Sequence, residues 1–214
     1  MREVELVTGA RAGSTAAFTG LVEIYQVPVY NLCYRMLGDP GEAEDAAQET
    51  FLRAYSQLRR YDPERPFKTW LFAIASHHCI DRLRRRHVTW LGIDDEPLLT
   101  HPALREQRPG PEQSALRREQ EAVVQAALAV LAPRDRSAIV MRYWYDMSYE
   151  EIARATGCTA SAVKSRLHRA RASLGAFLRG TEPSRTRLSG SAQAPRGSSE
   201  PLWGAQPQWT ATSI

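Results

Sequence analysis

Between Ala16 and Leu37, apolar side chains return at helical spacing (Phe18, Leu21, Val22, Tyr25, Val29, Leu32, Cys33, Met36), with Pro28 a possible kink and Gly38 a stop. Asp39 is placed to cap a second helix, with Pro40 at its first position and Glu42 three residues past the cap. That helix is expected to reach about Leu58, with Ala43, Ala47, Leu52, Tyr55 and Leu58 inward and an acidic face outward. The stretch Tyr61 to Pro66 reads as a rigid turn, and Phe67 to about His87 as a third long helix, aromatic first and arginine-rich last.

Thr89 to Pro111 breaks the pattern with Asp94, Asp95, Glu96 and four prolines, and residues 89–113 read as a linker. Beyond it, Ser114 to Val130 and Pro133 to Tyr145 are expected helices. Ser148 and Glu151 form an S-x-x-E capping box that opens a short helix to Ala155. Gly157 and a capping Thr159 then lead into a helix from Ala160 to about Leu178, so the order is helix, short Gly-containing turn, helix. No segment alternates as a strand does. The expected fold is all-α: two small helical domains (16–88, a bundle, and 114–179, a helix-turn-helix) joined by a flexible linker, with a lead at 1–15. The Ser-, Pro- and Gly-rich tail at 180–214 buries too little to order itself, although Trp203 and Trp209 are unusual there.

Charge adds a partner class. The net charge of +4 over 214 residues permits nucleic-acid binding without demanding it, but its distribution is uneven. Residues 41–50 carry four acids and no base, whereas 83–87 and 160–171 are basic without an acid, so the sequence predicts segregated acidic and basic surfaces. Three widely spaced cysteines argue against a disulfide framework and for a reducing cytoplasm, and no apolar run spans a membrane.

A helix-turn-helix places its second helix in the major groove, which requires cations and hydrogen-bond donors on one face. Lys164, Ser165, Arg166, His168, Arg169 and Arg171 supply them, while Val163, Leu167 and Ala170 turn inward. On the third helix, Phe67, Trp70 and Phe72 adjoin Arg82, Arg84, Arg85 and Arg86, an aromatic-to-cationic track suited to single strands, although Phe67 and Trp70 also suit a core. Asp45 and Glu49, four apart, could be read as a metal site, and so could His77-His78-Cys79. Acids alone on one helix make a poor site, and adjacent helical residues point apart. No catalytic residue, metal or cofactor is expected.

The order GDPGEAEDAAQETFLRAY, PFKTWLFAIASHHCIDRLRRR, then LAPRDRSAIVMRYWYDMSYEEIARATGCTASAVKSRLHRAR closely resembles the extracytoplasmic-function (ECF) branch of the sigma-70 family, over about Phe18 to Leu178. The resemblance implies a non-enzymatic, cytoplasmic specificity subunit that binds core RNA polymerase and promoter DNA, commonly restrained by an anti-sigma protein, with no small-molecule substrate. It assigns Asp45, Gln48, Glu49, Phe51 and Tyr55 to polymerase docking. Tyr61, Lys68, Trp70, His77, Arg82, Arg84, Arg85 and Arg86 go to the −10 element, and the six residues of the last helix to the −35 element. His77 stands where relatives often carry Asn, which puts the −10 base preference in question. A stand-alone regulator with a sensing domain would alternate strands and helices before the linker, and a helical metal-dependent nuclease would use Asp45; neither suits residues 1–88 as well.

Overall fold

Four helices begin where short polar side chains satisfy free backbone N–H groups. The computed structural model describes residues 3–90 and 111–180, with side chains described within 3–86 and 119–180. Over these residues the chain forms α1 (Glu3–Arg11), α2 (Thr15–Leu37), α3 (Pro40–Gln57), α4 (Phe67–Trp90), α5 (Pro111–Ala129), α6 (Pro133–Trp144), α7 (Tyr149–Thr156) and α8 (Ala160–Gly180), with a 3-10 turn at Leu58–Arg60. Among the described residues there is no strand.

Asp39 Oδ1 accepts from Glu42 N at 2.8 Å to start α3, and Thr159 Oγ1 accepts from Ala162 N at 3.2 Å to start α8. Both halves of the α7 capping box are made: Ser148 N donates to Glu151 Oε2 at 2.7 Å, and Glu151 N donates to Ser148 Oγ at 3.1 Å. Gly38 and Gly157 end α2 and α7 in the left-handed conformation, at φ 80° and 61°.

Three expectations are corrected. The lead at 1–15 contains α1, whose Leu6, Val7 and Ala10 are buried. α1 lies so close to α2 that a Cβ on Gly20 would sit 2.9 Å from Leu6 Cδ2. The linker is shorter than expected at both ends, since α4 reaches Trp90 and α5 starts at Pro111, where proline at the first helical position costs no hydrogen bond. On α3 the inward face is Ala43, Ala46, Ala47, Thr50 and Ala54, while Leu52 is 67% and Tyr55 49% exposed. The remaining linker and the tail, including Trp203 and Trp209, lie outside the described residues.

Residues 1–181 form one unit. α2, α3 and α4 pack together, α6, α7 and α8 pack together, and α6 and α7 also pack on α2 and α4. The middle of α6 is consequently enclosed: Asp135 to Met141 are all buried, while Tyr143 and Trp144 at its end are exposed.

Candidate nucleic-acid and partner interfaces

The expected docking residues lie along α3. Asp45 and Gln48 are exposed, Glu49 is half-buried, and Phe51 packs partly into the core. Tyr55 rests edge-on against Phe18, ring centroids 4.9 Å apart, and leaves its outer side to solvent. Leu52, which the sequence placed inward, instead joins Tyr55 in an apolar strip beside Gln48 and Glu49. The strip was legible as an excess of apolar residues on α3 beyond what one buried stripe holds.

The acidic and basic surfaces are not segregated. Arg53 Nε meets Glu49 Oε1 at 2.5 Å, Arg82 Nη2 lies 3.8 Å from Asp45 Oδ2, and Arg86 pairs with Glu42. The acids of α3 and the arginines of α4 neutralise one another because the two helices pack side by side, which linear charge blocks cannot reveal. The hydrogen bond from Arg53 holds the Glu49 carboxyl below its ordinary value. His78 is pushed the same way by burial and by Arg53 and Arg82, and its Nε2 is buried without a hydrogen-bond partner.

At the aromatic end of α4, Tyr61, Phe67 and Trp70 form a three-ring cluster with centroids 5.0–5.5 Å apart. Tyr61 and Phe67 are buried, Trp70 half-buried. The Tyr61 hydroxyl donates to Arg65 O. Tyr61 therefore offers no open face to a base, contrary to expectation, and supports Trp70 from within. Lys68 Nζ donates to Tyr145 O at 3.1 Å. His77 and Arg84, Arg85 and Arg86 are exposed, whereas Cys79 beyond His78 is fully buried, so His77-His78-Cys79 point apart. Among the described residues no group of three or more His, Cys, Asp or Glu is arranged to hold a metal, and no helix is long and apolar enough to cross a membrane.

On α8, Val163, Leu167 and Ala170 are buried, and Lys164, Ser165, His168, Arg169 and Arg171 are exposed, as the periodicity requires. Arg166 is half-buried, its Nη1 3.4 Å from Thr156 Oγ1 in α7. Ser165 Oγ donates to Ser161 O at 3.1 Å and Arg171 Nε to Leu167 O at 3.2 Å, both along the helix. Arg169, expected at the DNA face, is also paired from behind: its Nε and Nη2 meet Asp135 Oδ2 and Oδ1 at 3.2 and 3.0 Å.

Sequence reasoning missed the seam that joins the two helical groups. Ser76 and Ser137 hydroxyls meet at 2.6 Å, Arg136 Nη1 donates to Met36 O at 2.6 Å, and the Tyr145 hydroxyl donates to Pro28 O at 2.6 Å. The Tyr145 ring packs edge-on over Phe72 with centroids 4.5 Å apart. Burial pushes Arg136 down to about 10 and Tyr145 well above its ordinary value. Nothing in the local pattern marks these residues, because their partners are 61 to 117 positions away.

The arrangement is a helix-turn-helix with a cationic outer face, joined to a second helical group that carries an exposed apolar and acidic strip. The Sigma-70 region 2 family matches residues 21–89 and the Sigma-70 region 4 family residues 121–174. The ECF RNA polymerase sigma factor SigW of Bacillus subtilis is 35% identical over 174 residues, covering 79% of this chain and 92% of SigW. RNA polymerase sigma factor CnrH of Cupriavidus metallidurans is 34% identical over 177 residues, covering 81% of this chain and 92% of CnrH. The solved structure of CnrH in complex with the cytosolic domain of CnrY superposes with a TM-score of 0.63 at 27% identity, covering 84% of this chain and 99% of that one. The chain belongs to the ECF group of sigma-70 family RNA polymerase sigma factors, whose work is promoter recognition for transcription initiation.

Proposed function

We propose that the two helical groups divide promoter recognition between them within RNA polymerase holoenzyme. Residues 16–88 dock on core polymerase through the strip of Asp45, Gln48, Glu49, Leu52 and Tyr55, and engage the −10 element through Lys68, Trp70, His77 and the arginines of α4. Residues 114–179 read the −35 element through α8. The single observation that carries this reading is the solvent-facing row of Lys164, Ser165, His168, Arg169 and Arg171 on the second helix of a capped helix-turn-helix.

Energetics assign opening of the duplex to the assembly and not to the free subunit. A bubble of several steps at about 1.4 kcal/mol each costs roughly 10 kcal/mol. Two or three bases stacked on aromatics return about 1–3 kcal/mol each, and burial of Tyr61 and Phe67 leaves Trp70 the accessible ring of its cluster. The subunit thus supplies specificity, polymerase supplies the chemistry, and the chain has no catalysis of its own. Its site is the bacterial cytoplasm. An anti-sigma protein restrains it, a reading supported by the sigma-family resemblance and by the complex in which its relative CnrH was solved.

Mixing the chain with core polymerase tests the docking. Co-elution as a single complex is expected; separate elution of the two at micromolar concentration overturns the reading.

A further inference from the structure

Asp135 sits in the first turn of α6 with its side chain 12% exposed, and its carboxylate is spent on one residue of the DNA-facing helix, Arg169, 34 positions on. The contact is side-on. Nε and Nη2 of Arg169 meet the two carboxylate oxygens, so the guanidinium plane is fixed by two bonds while the side chain as a whole stays 60% exposed. What remains unused is the end-on edge: one N–H of Nη1 and the second of Nη2, two parallel donors on an otherwise flexible side chain.

We propose that Asp135 is a positioning residue for promoter reading: it aims the free edge of Arg169 at a base with two acceptors in the major groove, a guanine in the −35 element. The inference rests on the proposed −35 role of α8. Guanine O6 and N7 are the acceptor pair that two parallel guanidinium donors match, and a preset plane loses less freedom on binding than a mobile arginine. The acid also offsets the arginine's charge, so the pair is a weak attractor of phosphate in general and a directional reader in particular. Lys164 and His168, exposed and without a partner among the described residues, have no such restraint. The Asp135 contact comes from a different helix, so the restraint depends on how α6 and α8 pack.

The test uses the full-length chain in holoenzyme and measures binding to promoters in which each −35 base pair is varied, at one stated salt concentration. Arg169→Ala is expected to erase preference for guanine at one position, a loss of about 5- to 150-fold in discrimination, the range of one bidentate base contact. Asp135→Ala is expected to erase most of the preference at that same position while binding to a scrambled −35 sequence rises, because an acid near the phosphates is gone. The double variant should discriminate no worse than Arg169→Ala alone. Asp135→Asn, which keeps the shape and one acceptor, should fall between. If Arg169→Ala leaves base preference intact, the −35 role of Arg169 fails. If Arg169→Ala relaxes the preference but Asp135→Ala does not, or if Asp135→Ala weakens all promoter sequences equally, the positioning role fails and Asp135 serves only to hold α6 against α8. A thermal melt of each variant separates loss of fold from loss of reading.

Discussion

Ser76 on α4 and Ser137 on α6 share a 2.6 Å hydrogen bond in a fully enclosed position, and it joins the helical group of α2, α3 and α4 to that of α6, α7 and α8. Removing one hydroxyl leaves the other buried and unpaired, at a cost of about 1–3 kcal/mol, whereas removing both is close to neutral. Ser76→Ala or Ser137→Ala alone should therefore destabilise the chain, and the double variant should recover most of the loss. Urea unfolding of the four proteins as a double-mutant cycle checks it; additive losses would contradict the shared bond.

The same seam predicts alkaline weakening. Tyr145 is partly buried with its hydroxyl on Pro28 O, and its pKa lies well above the ordinary 10.0, so the folded state holds the proton that the unfolded state releases. Its contribution is complete below pH 10.0 and is lost as pH rises beyond it. Arg136 works in the opposite sense. With its folded value near 10 against 12.5, the unfolded state binds the extra proton, and stability from this group rises across that interval. Tyr145→Phe should accordingly lower stability at neutral pH by about 1 kcal/mol and flatten the alkaline decline. Stability followed by urea unfolding on both sides of pH 10.0 reads both effects.

His78 makes the complementary prediction at low pH. Burial and the nearby Arg53 and Arg82 hold its pKa below 6.5, so the stability of the α3–α4 packing is lost as pH falls through the folded value. His78→Gln should shift the onset of acid unfolding to lower pH. An unchanged acid limb in the melting profile would show that His78 titrates alike in the folded and unfolded chain, which contradicts the linkage.

Leu52 and Tyr55 carry the docking prediction. Both are exposed, so Leu52→Asp should leave the melting temperature unchanged while weakening binding to core polymerase by about tenfold or more, as removal of an apolar anchor does. Affinity titration with labelled core enzyme checks it. Phe51→Ala, by contrast, should cost stability, because Phe51 packs into the core.

The sequence was most legible where structure is local. Caps at Asp39, Ser148 and Thr159, the glycine stops at Gly38 and Gly157, and the inward row of Val163, Leu167 and Ala170 all follow from spacing over a few residues. It was least legible where partners are distant. The pairing of Arg82 with Asp45, Arg86 with Glu42 and Arg169 with Asp135 depends on helix packing. So does the burial of Arg136, on a helix whose polar sequence gives no hint of being enclosed. Leu52 was misplaced because Ala and Thr fill the close α2–α3 contact, leaving larger side chains outside.

Closed as it is, the seam keeps the two helical groups together, whereas elements named for positions −10 and −35 lie about 25 base pairs, roughly 85 Å, apart along a duplex. Fluorescent labels on α3 and α8 should therefore move apart when holoenzyme forms on a promoter, and labels that keep their free-protein distance there would contradict simultaneous reading of both elements.

The most direct measurement of the central claim is transcription by core RNA polymerase with this chain over a randomised promoter library. Start-site-specific transcripts should appear only with the chain present and should select two sequence elements at fixed spacing, one altered by substitutions on α8 and the other by substitutions at His77 and the α4 arginines. Transcripts indifferent to the chain, or a single selected element insensitive to α8, would contradict the account.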